Sequence, residues 1–569
     1  MSTGGPRRAP ATLAADVVVV GFGAAGACAA IEAADAGAQV LVLDRFDGGG
    51  ATALSGGVVY AGGGTSVQRD AGVDDTPEAM LAYLEREVGD PEDTVHPETL
   101  RAFCHGSPAM IEWLRQQGVP FEGSLAPQKT SYPGNDHYLY YSGSEIAGAF
   151  RDVAPPAPRG HRAKAPGASG KRLFQALAGA ARGRGVRVLP QTRAQRVVEH
   201  DGVVRGVEGV TLSQAPAWVR TAYRVAGRLA AKPGLYQPAV KRRCVALCDM
   251  LERAHGRPVQ VLAQRGVVLC AGGFIGNRAL VHEHAPAYRG GLPLGTPGDD
   301  GSGLELGRSV GGAAAKLDRV SAWRFFTPPS ALLGALLVDR RGQRVIDETR
   351  YGAAVGQALI EHHDGRGWLL VDASLLAEAR RQIRRQGLWF QRLQMAYLFG
   401  PGRVTGTTLE EVARRAGVDA EGLVATVQAH QEALASGGPD PSGKPAEYTR
   451  SIGTPPYSLV DISVRRQPAY PCPMLTLGGL VVDQRTGQVQ RPDQEPIPGL
   501  FAAGRTAVGI CSNAYVSGLS LADCVFSGRR AGRHAATGPA PGPTPGPETV
   551  PAPVEQPRQE RQGRHRAHH

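Results

Sequence analysis

The hydrophobic pattern is most regular near the start of the chain, where Val17-Val18-Val19-Val20 forms an unbroken β-branched run closed by Gly21-Phe22-Gly23-Ala24-Ala25-Gly26. A continuous apolar run without alternation predicts a strand covered on both faces, as in a parallel sheet. From Ala24 small residues dominate up to Gly37, which predicts a closely packed helix with a glycine stop. Leu41-Val42-Leu43 repeats the buried strand and Asp44 ends it. Arg193-Ala194-Gln195-Arg196-Val197-Val198 and Val268-Leu269-Cys270-Ala271-Gly272-Gly273 predict further strands, and Leu500-Phe501-Ala502-Ala503-Gly504 a late one. Thr408 to Gly417 and Leu423 to Val427 carry the spacing of amphipathic helices. The expected fold class is α/β, with a Rossmann-like domain at its centre.

The first strand, turn and helix carry chemistry. Gly21, Gly23 and Gly26, with Ala25 between them, let a backbone turn approach a pyrophosphate, which rests on the free N–H groups and dipole of the following helix. Asp44, at the end of the second strand, is expected to accept hydrogen bonds from an adenosine ribose, with Arg45 beside it. A dinucleotide is therefore expected.

A second glycine-rich loop, Gly48-Gly49-Gly50-Ala51-Thr52-Ala53-Leu54-Ser55-Gly56-Gly57, has no use in an NAD site. With it, the chain resembles the fumarate reductase and succinate dehydrogenase flavoprotein superfamily. The resemblance implies FAD. It puts Ala51, Thr52, Ser55, Gly56 and Gly57 along the isoalloxazine and ribityl chain, and Ala194 on the adenine side. Gly272, Gly273 and Gly504 then end strands at the cofactor, and Ser520-Leu521 starts a helix whose amides face the flavin. Gly50 stands where covalently flavinylated relatives carry a His, so the FAD is expected to be non-covalent.

The early and late motifs must meet around one cofactor, so residues 318–460 are expected to be an α+β cap domain inserted into an FAD-binding domain of 15–317 and 461–536. Residues 1–14 and the Pro/Gly/Arg/His-rich 537–569 are expected to be disordered. The net charge is +11. Part of it sits in 211–257, where nine Lys or Arg face only Asp249 and Glu252, in a place where relatives carry a short turn. Two readings stand for this insertion: a helical pair packed on the FAD domain, and a membrane-surface hairpin that collects apolar substrate. Nothing resembles a nucleic-acid module. The eight cysteines lack any Cys-x-x-Cys pair, so neither disulfides nor a metal site is expected. Arg7-Arg8 before an apolar run suggests an export signal, but that run is the strand the dinucleotide needs. The expected location is cytoplasmic, with peripheral contact at the inner membrane surface as the alternative.

Comparison with the resembled superfamily also bears on the reaction. Leu475 stands where fumarate reductases carry a carboxylate-binding His, and Tyr515 where they carry the substrate Arg. Ser512 to Leu521 resembles the 3-ketosteroid dehydrogenase branch, most nearly its Δ4-(5α) type. That implies dehydrogenation beside the ketone of an apolar polycyclic substrate, with an electron acceptor that the sequence leaves unknown. Tyr515 would accept the proton and Ser517 would bond to it or relay onward, while backbone amides near Gly518 polarise the ketone. Tyr351, after Asp347-Glu348-Thr349-Arg350, is the second active-site tyrosine or a cap-core residue. Trp323, Phe325, Phe326 and the 138–141 run with Tyr140 are candidate pocket walls. An ene-reductase on an uncharged enone and a non-catalytic flavin scaffold at a membrane are the alternatives.

Overall fold

The computed structural model describes residues 11–538 except Asp90, Pro91 and Asp93. At its centre is an eight-stranded sheet whose main path runs Gln488–Gln490, Pro496–Ala502, Arg257–Leu269, β1 (Ala11–Val20), β2 (Val40–Leu43), Arg187–Leu189. The last five strands of this path are parallel, and Gln488–Gln490 closes one edge antiparallel. Valines 17, 18 and 19 are wholly buried, as their unbroken apolar run requires.

β1 starts earlier than the sequence suggests. Ala11 to Ala14, expected within a disordered 1–14, pair with Val259 to Leu262 of the long neighbouring strand. These four residues are mostly exposed, so no apolar pattern announces them; backbone pairing holds them. At the other end Thr537, expected in the tail, completes a helix running Leu519–Thr537. Residues 1–10 and 539–569 lie outside the described residues.

α1 (Ala24–Asp35) crosses from β1 to β2 and packs on that C-terminal helix. The contact is backbone to backbone: a Cβ on Gly528 would stand 2.5 Å from the Ala25 carbonyl oxygen, and one on Gly532 2.1 Å from that of Ala29. Glu32 of α1 receives Arg529 at 2.6 Å and Arg533 at 2.8 Å across the same seam. The last helix thus supports the first, and the segments around Gly21 and Ser520 come to face one space.

The 211–257 region is a helical pair, Ala217–Ala231 and Pro238–His255, set between two strands that are themselves hydrogen-bonded partners, with Thr211 opposite Arg257. It is an excursion from a β-hairpin and leaves the sheet uninterrupted.

The cap has its own four-stranded antiparallel sheet, ordered Leu336–Val338, Trp368–Val371, Tyr457–Asp461, Arg403–Gly406, with helices around it. Leu336, Leu337, Leu369 and Leu370 are fully buried in its core, each contributing about 1.5–3 kcal/mol by removal from water. The expected boundaries 318–460 shift. Val320–Ala322 pairs with Pro473–Thr476 on the FAD side, and the cap core runs from Phe326 to Tyr470. The chain therefore enters and leaves the cap through two adjacent antiparallel strands. Arg324 staples this stalk: its buried guanidinium donates to the Ser463 carbonyl at 2.6 Å and the Tyr470 carbonyl at 3.1 Å, and lies 4.4 Å over the Tyr470 ring. All eight cysteines are free.

Candidate active site

At the carboxyl ends of β1 and β2 the backbone turns sharply. Gly21 has φ +100°, and a Cβ there would stand 2.4 Å from the Cys270 carbonyl oxygen. The Thr52 hydroxyl accepts the Ala24 N–H at 3.0 Å, joining the second glycine loop to the start of α1. Asp44 accepts the N–H groups of Phe22 at 2.8 Å, Phe46 at 2.8 Å and Gly48 at 3.1 Å. A carboxylate has about four acceptor sites. Three of them are taken by these amides, so Asp44 fixes both loops that form the cradle. Burial pushes the Asp44 carboxyl above its ordinary value and the three amides act against that shift. Ser55 also works locally, donating to the Thr52 carbonyl and accepting from Gly57 N–H.

From this cradle a cavity of about 1560 Å³ runs to the cap. Its lining brings together Gly21, Gly23, Ala25, Asp44, Arg45, Ala51, Thr52, Ser55, Gly56, Gly57, Ala194, Gly272, Ser520 and Leu521. Gly26, Gly273 and Gly504 lie behind the wall. A Cβ on Gly26 would meet the Gly21 carbonyl oxygen at 1.9 Å, and one on Gly273 the Thr476 hydroxyl at 2.4 Å, so these glycines permit close packing and do not line the cavity.

The far end is aromatic. Tyr515 is 9% exposed and stacks on Trp323, with centroids 5.5 Å apart and planes at 18°. Tyr351 lies 6.3 Å from Tyr515 and 5.5 Å from Phe325. Leu475 lines the same end, so an apolar side chain occupies the position that the sequence comparison singled out for a lost His. Burial, aided by the nearby Cys511 thiol, pushes the Tyr515 phenol well above its usual range, while the Gly518 N–H and the Arg505 guanidinium pull it down. The Gly518 amide, expected to face a ketone, thus acts on Tyr515.

Ser517 differs from expectation. Its hydroxyl lies 3.2 Å from that of Tyr140, and a bond from Ser517 also tempers the Tyr351 phenol, which burial drives far up. Ser517 therefore works beside Tyr140 and Tyr351, and among the described residues no hydrogen bond joins it to Tyr515. Tyr140 is completely buried behind the wall, so it supports Ser517 and does not line the cavity. Phe326 turns into the cap core, while Trp323 and Phe325 reach the cavity.

Sequence reasoning missed Arg505 and Asp299, a buried ion pair on the cavity wall. Arg505 Nη1 is buried with no hydrogen-bond partner. The acidic, glycine-flanked Gly298-Asp299-Asp300-Gly301 is the signal that marks this place. It missed also Trp389, Phe390 and Leu393 of the helix Trp389–Leu398, which line the cavity from the cap.

The site fits FAD. Gly21 and Gly26 of the cradle leave no room for a Cβ, an orphaned guanidinium edge sits at the cavity wall, and the cavity extends well beyond one ligand's polar end. Comparison with known proteins agrees. The 3-oxo-5-alpha-steroid 4-dehydrogenase of Comamonas testosteroni is 38% identical over 500 residues, covering 86% of this chain and 92% of that protein. The 3-ketosteroid-delta4-(5alpha)-dehydrogenase from Rhodococcus jostii RHA1, solved in complex with 4-androstene-3,17-dione, has TM-score 0.77 and 32% identity, covering 93% of this chain and 99% of that one. The 3-oxosteroid 1-dehydrogenase of Mycobacterium tuberculosis is 27% identical over 564 residues, covering 88% of this chain and 94% of that protein. Residues 16–520 match the FAD binding domain family as a whole. The chain belongs to that family of α/β flavoproteins, and FAD is its cofactor.

Proposed function

We propose that the enzyme dehydrogenates the carbon–carbon bond next to the ketone of a 3-ketosteroid, with Tyr515 receiving the proton. The carrying observation is the position of Tyr515, buried on the cavity wall and stacked on Trp323, with apolar Leu475 lining the same cavity. The names of the two relatives more than 30% identical support the substrate class. Removing a proton beside a ketone needs a base and a polarised carbonyl. Tyr515 serves as base in its phenolate form, which the Gly518 N–H and Arg505 favour against burial. Tyr351, kept neutral by its burial, is an O–H donor for the ketone oxygen, and Ser517, held by Tyr140, orients it. FAD, held by the Gly21–Gly57 cradle without a covalent bond, supplies the hydride acceptor. Trp323 and Phe325 exclude water and hold a flat apolar substrate.

The test is anaerobic titration of the yellow protein with saturated and Δ4 3-ketosteroids. Bleaching by the saturated ketone supports the reading. Reoxidation of pre-reduced flavin by the enone, with no bleaching by its saturated partner, replaces it with ene reduction.

A second reading concerns location. The exposed large apolar side chains gather on the insertion: Trp218 at 62%, Val225 at 49%, Leu229 at 43%, Tyr236 at 53% and Met250 at 50%. Arg220 lies among them. Trp389 and Leu393 are exposed at the cap side of the cavity. No helix among the described residues is long and apolar enough to cross a membrane. We propose that this outer face touches an anionic bilayer from which an apolar ketone enters. Co-sedimentation with vesicles containing phosphatidylserine, lost at high salt, is the expected result; no binding at low salt removes the idea.

A further inference from the structure

The helical excursion has an inner face as distinct as its outer one. Tyr223, Arg224, Gly227, Arg228 and Ala231 recur along one stripe of the helix Ala217–Ala231, and all of them line the cofactor cavity. They stand over Asp44, Phe46 and Asp47, the residues that follow β2. The Tyr223 ring lies 5.8 Å from Phe46 with planes at 25°, and Gly227 leaves room for the Phe46 ring, which a Cβ would meet at 2.8 Å. Arg224 reaches Asp47 at 3.2 Å on the rim.

The second helix fastens this roof. Glu252 takes Arg45 Nε at 2.9 Å, the Tyr223 hydroxyl at 2.6 Å and Arg193 at 3.2 Å. Arg45 also meets Asp249 at 2.7 Å and Asp300 at 3.2 Å, so one guanidinium joins the insertion, the end of β2 and the Gly298–Gly301 loop. Burial alone would raise the Glu252 carboxyl, but Arg45, Tyr223 and Arg193 hold it below its ordinary value. A hairpin that merely filled surface would bury this stripe against protein. Here Tyr223 and Gly227 do pack on Phe46, but the stripe also borders the ligand space.

We propose that the 211–257 insertion is a clasp over the adenosine half of FAD, locked through Glu252 and Arg45, and that it sets the preference for a dinucleotide over a mononucleotide flavin. The proposal rests on the strand–turn–helix at Gly21–Asp44 holding the adenosine half. FMN lacks that half and gains nothing from the roof.

The experiment compares apo-protein affinities for FAD and FMN by flavin fluorescence, in wild type, Glu252→Gln, and a variant in which 213–255 are replaced by two glycines. Because Thr211 and Arg257 are already paired, the shortened connection needs no change in the sheet. Glu252→Gln keeps the shape of the side chain while removing its charge. FAD affinity is expected to fall about tenfold in Glu252→Gln and at least a hundredfold in the deletion, with FMN affinity constant. The proposal is overturned if Glu252→Gln or the deletion binds FAD as wild type does, or if FAD and FMN weaken in parallel. Both readouts are binding constants, independent of whether any ketosteroid is turned over.

Discussion

Tyr515 and Trp323 lie ring over ring, 5.5 Å apart, although one comes from the loop before the C-terminal helix and the other from the stalk that carries the cap. The proposed base and the substrate wall are thereby one packed unit. Motion of the cap moves both the shape of the pocket and the surroundings of the phenol.

Tyr515→Phe keeps the ring and this stacking, so FAD content and melting temperature should stay within error of wild type. Turnover should fall by about 10²–10⁴-fold, the usual contribution of a positioned base. Because burial raises this phenol, the phenolate fraction grows tenfold with each pH unit below its pKa. The wild-type rate should rise through pH 8–10 without levelling, and the variant should lose that slope. Pre-steady-state flavin reduction across pH is the measurement.

Ser517→Ala removes one neutral hydroxyl from the row Tyr140–Ser517–Tyr351. One such bond is worth about 1 kcal/mol, or roughly a fivefold change in rate. Tyr140→Phe should give a similar loss, and the double variant little more than either single one. Multiplicative losses in kcat would show that the two hydroxyls act separately.

Asp523 offers a pH test of stability. Burial raises its carboxyl from 3.8 to about 6, against Arg530, the Cys511 thiol and the Ile510 N–H. The folded protein therefore holds a proton that the unfolded chain has lost, so stability from this group is full below about pH 4 and is lost as pH climbs through 6. Asp523→Asn should match wild type in acid and gain on it by about 2–3 kcal/mol above pH 6. Denaturant unfolding at pH 4 and pH 7.5 decides it, and a gain at pH 4 would place the cause elsewhere.

Gly532→Val drives a side chain into the Ala29 carbonyl and should cost about 1–3 kcal/mol or more by overpacking. Since α1 begins at the glycine cradle, the variant should also release FAD more readily in dialysis than Gly528 and Gly532 wild-type protein does. Retained colour with a lowered melting temperature would mean that the seam and the cradle are uncoupled.

The strand–turn–helix was legible because buried strands need unbroken apolar runs and a phosphate turn needs glycine; both leave marks in single residues. The extension Ala11–Ala14 left none, because its stability comes from a partner strand some 250 positions later. Phe325 and Phe326 read alike in sequence, and only the path of the stalk turns one to the cavity and the other to the cap core. Asp44 was legible as an acid at the cradle, but its three backbone donors belong to loops whose course no local pattern specifies. Ser517 was legible as a site residue, while its partner Tyr140 required the fold to bring two distant segments together.

The seam between α1 and the last helix also dictates when the enzyme can come into being. The Arg529–Glu32 contact spans 497 positions. At translation speeds of about 5–20 residues per second, its two halves are born roughly 25–100 s apart. Throughout that interval a ribosome-bound chain carries a glycine cradle with no backing, so flavin loading is expected to follow synthesis of the last helix, and a polypeptide cut short before residue 519 should leave the ribosome colourless.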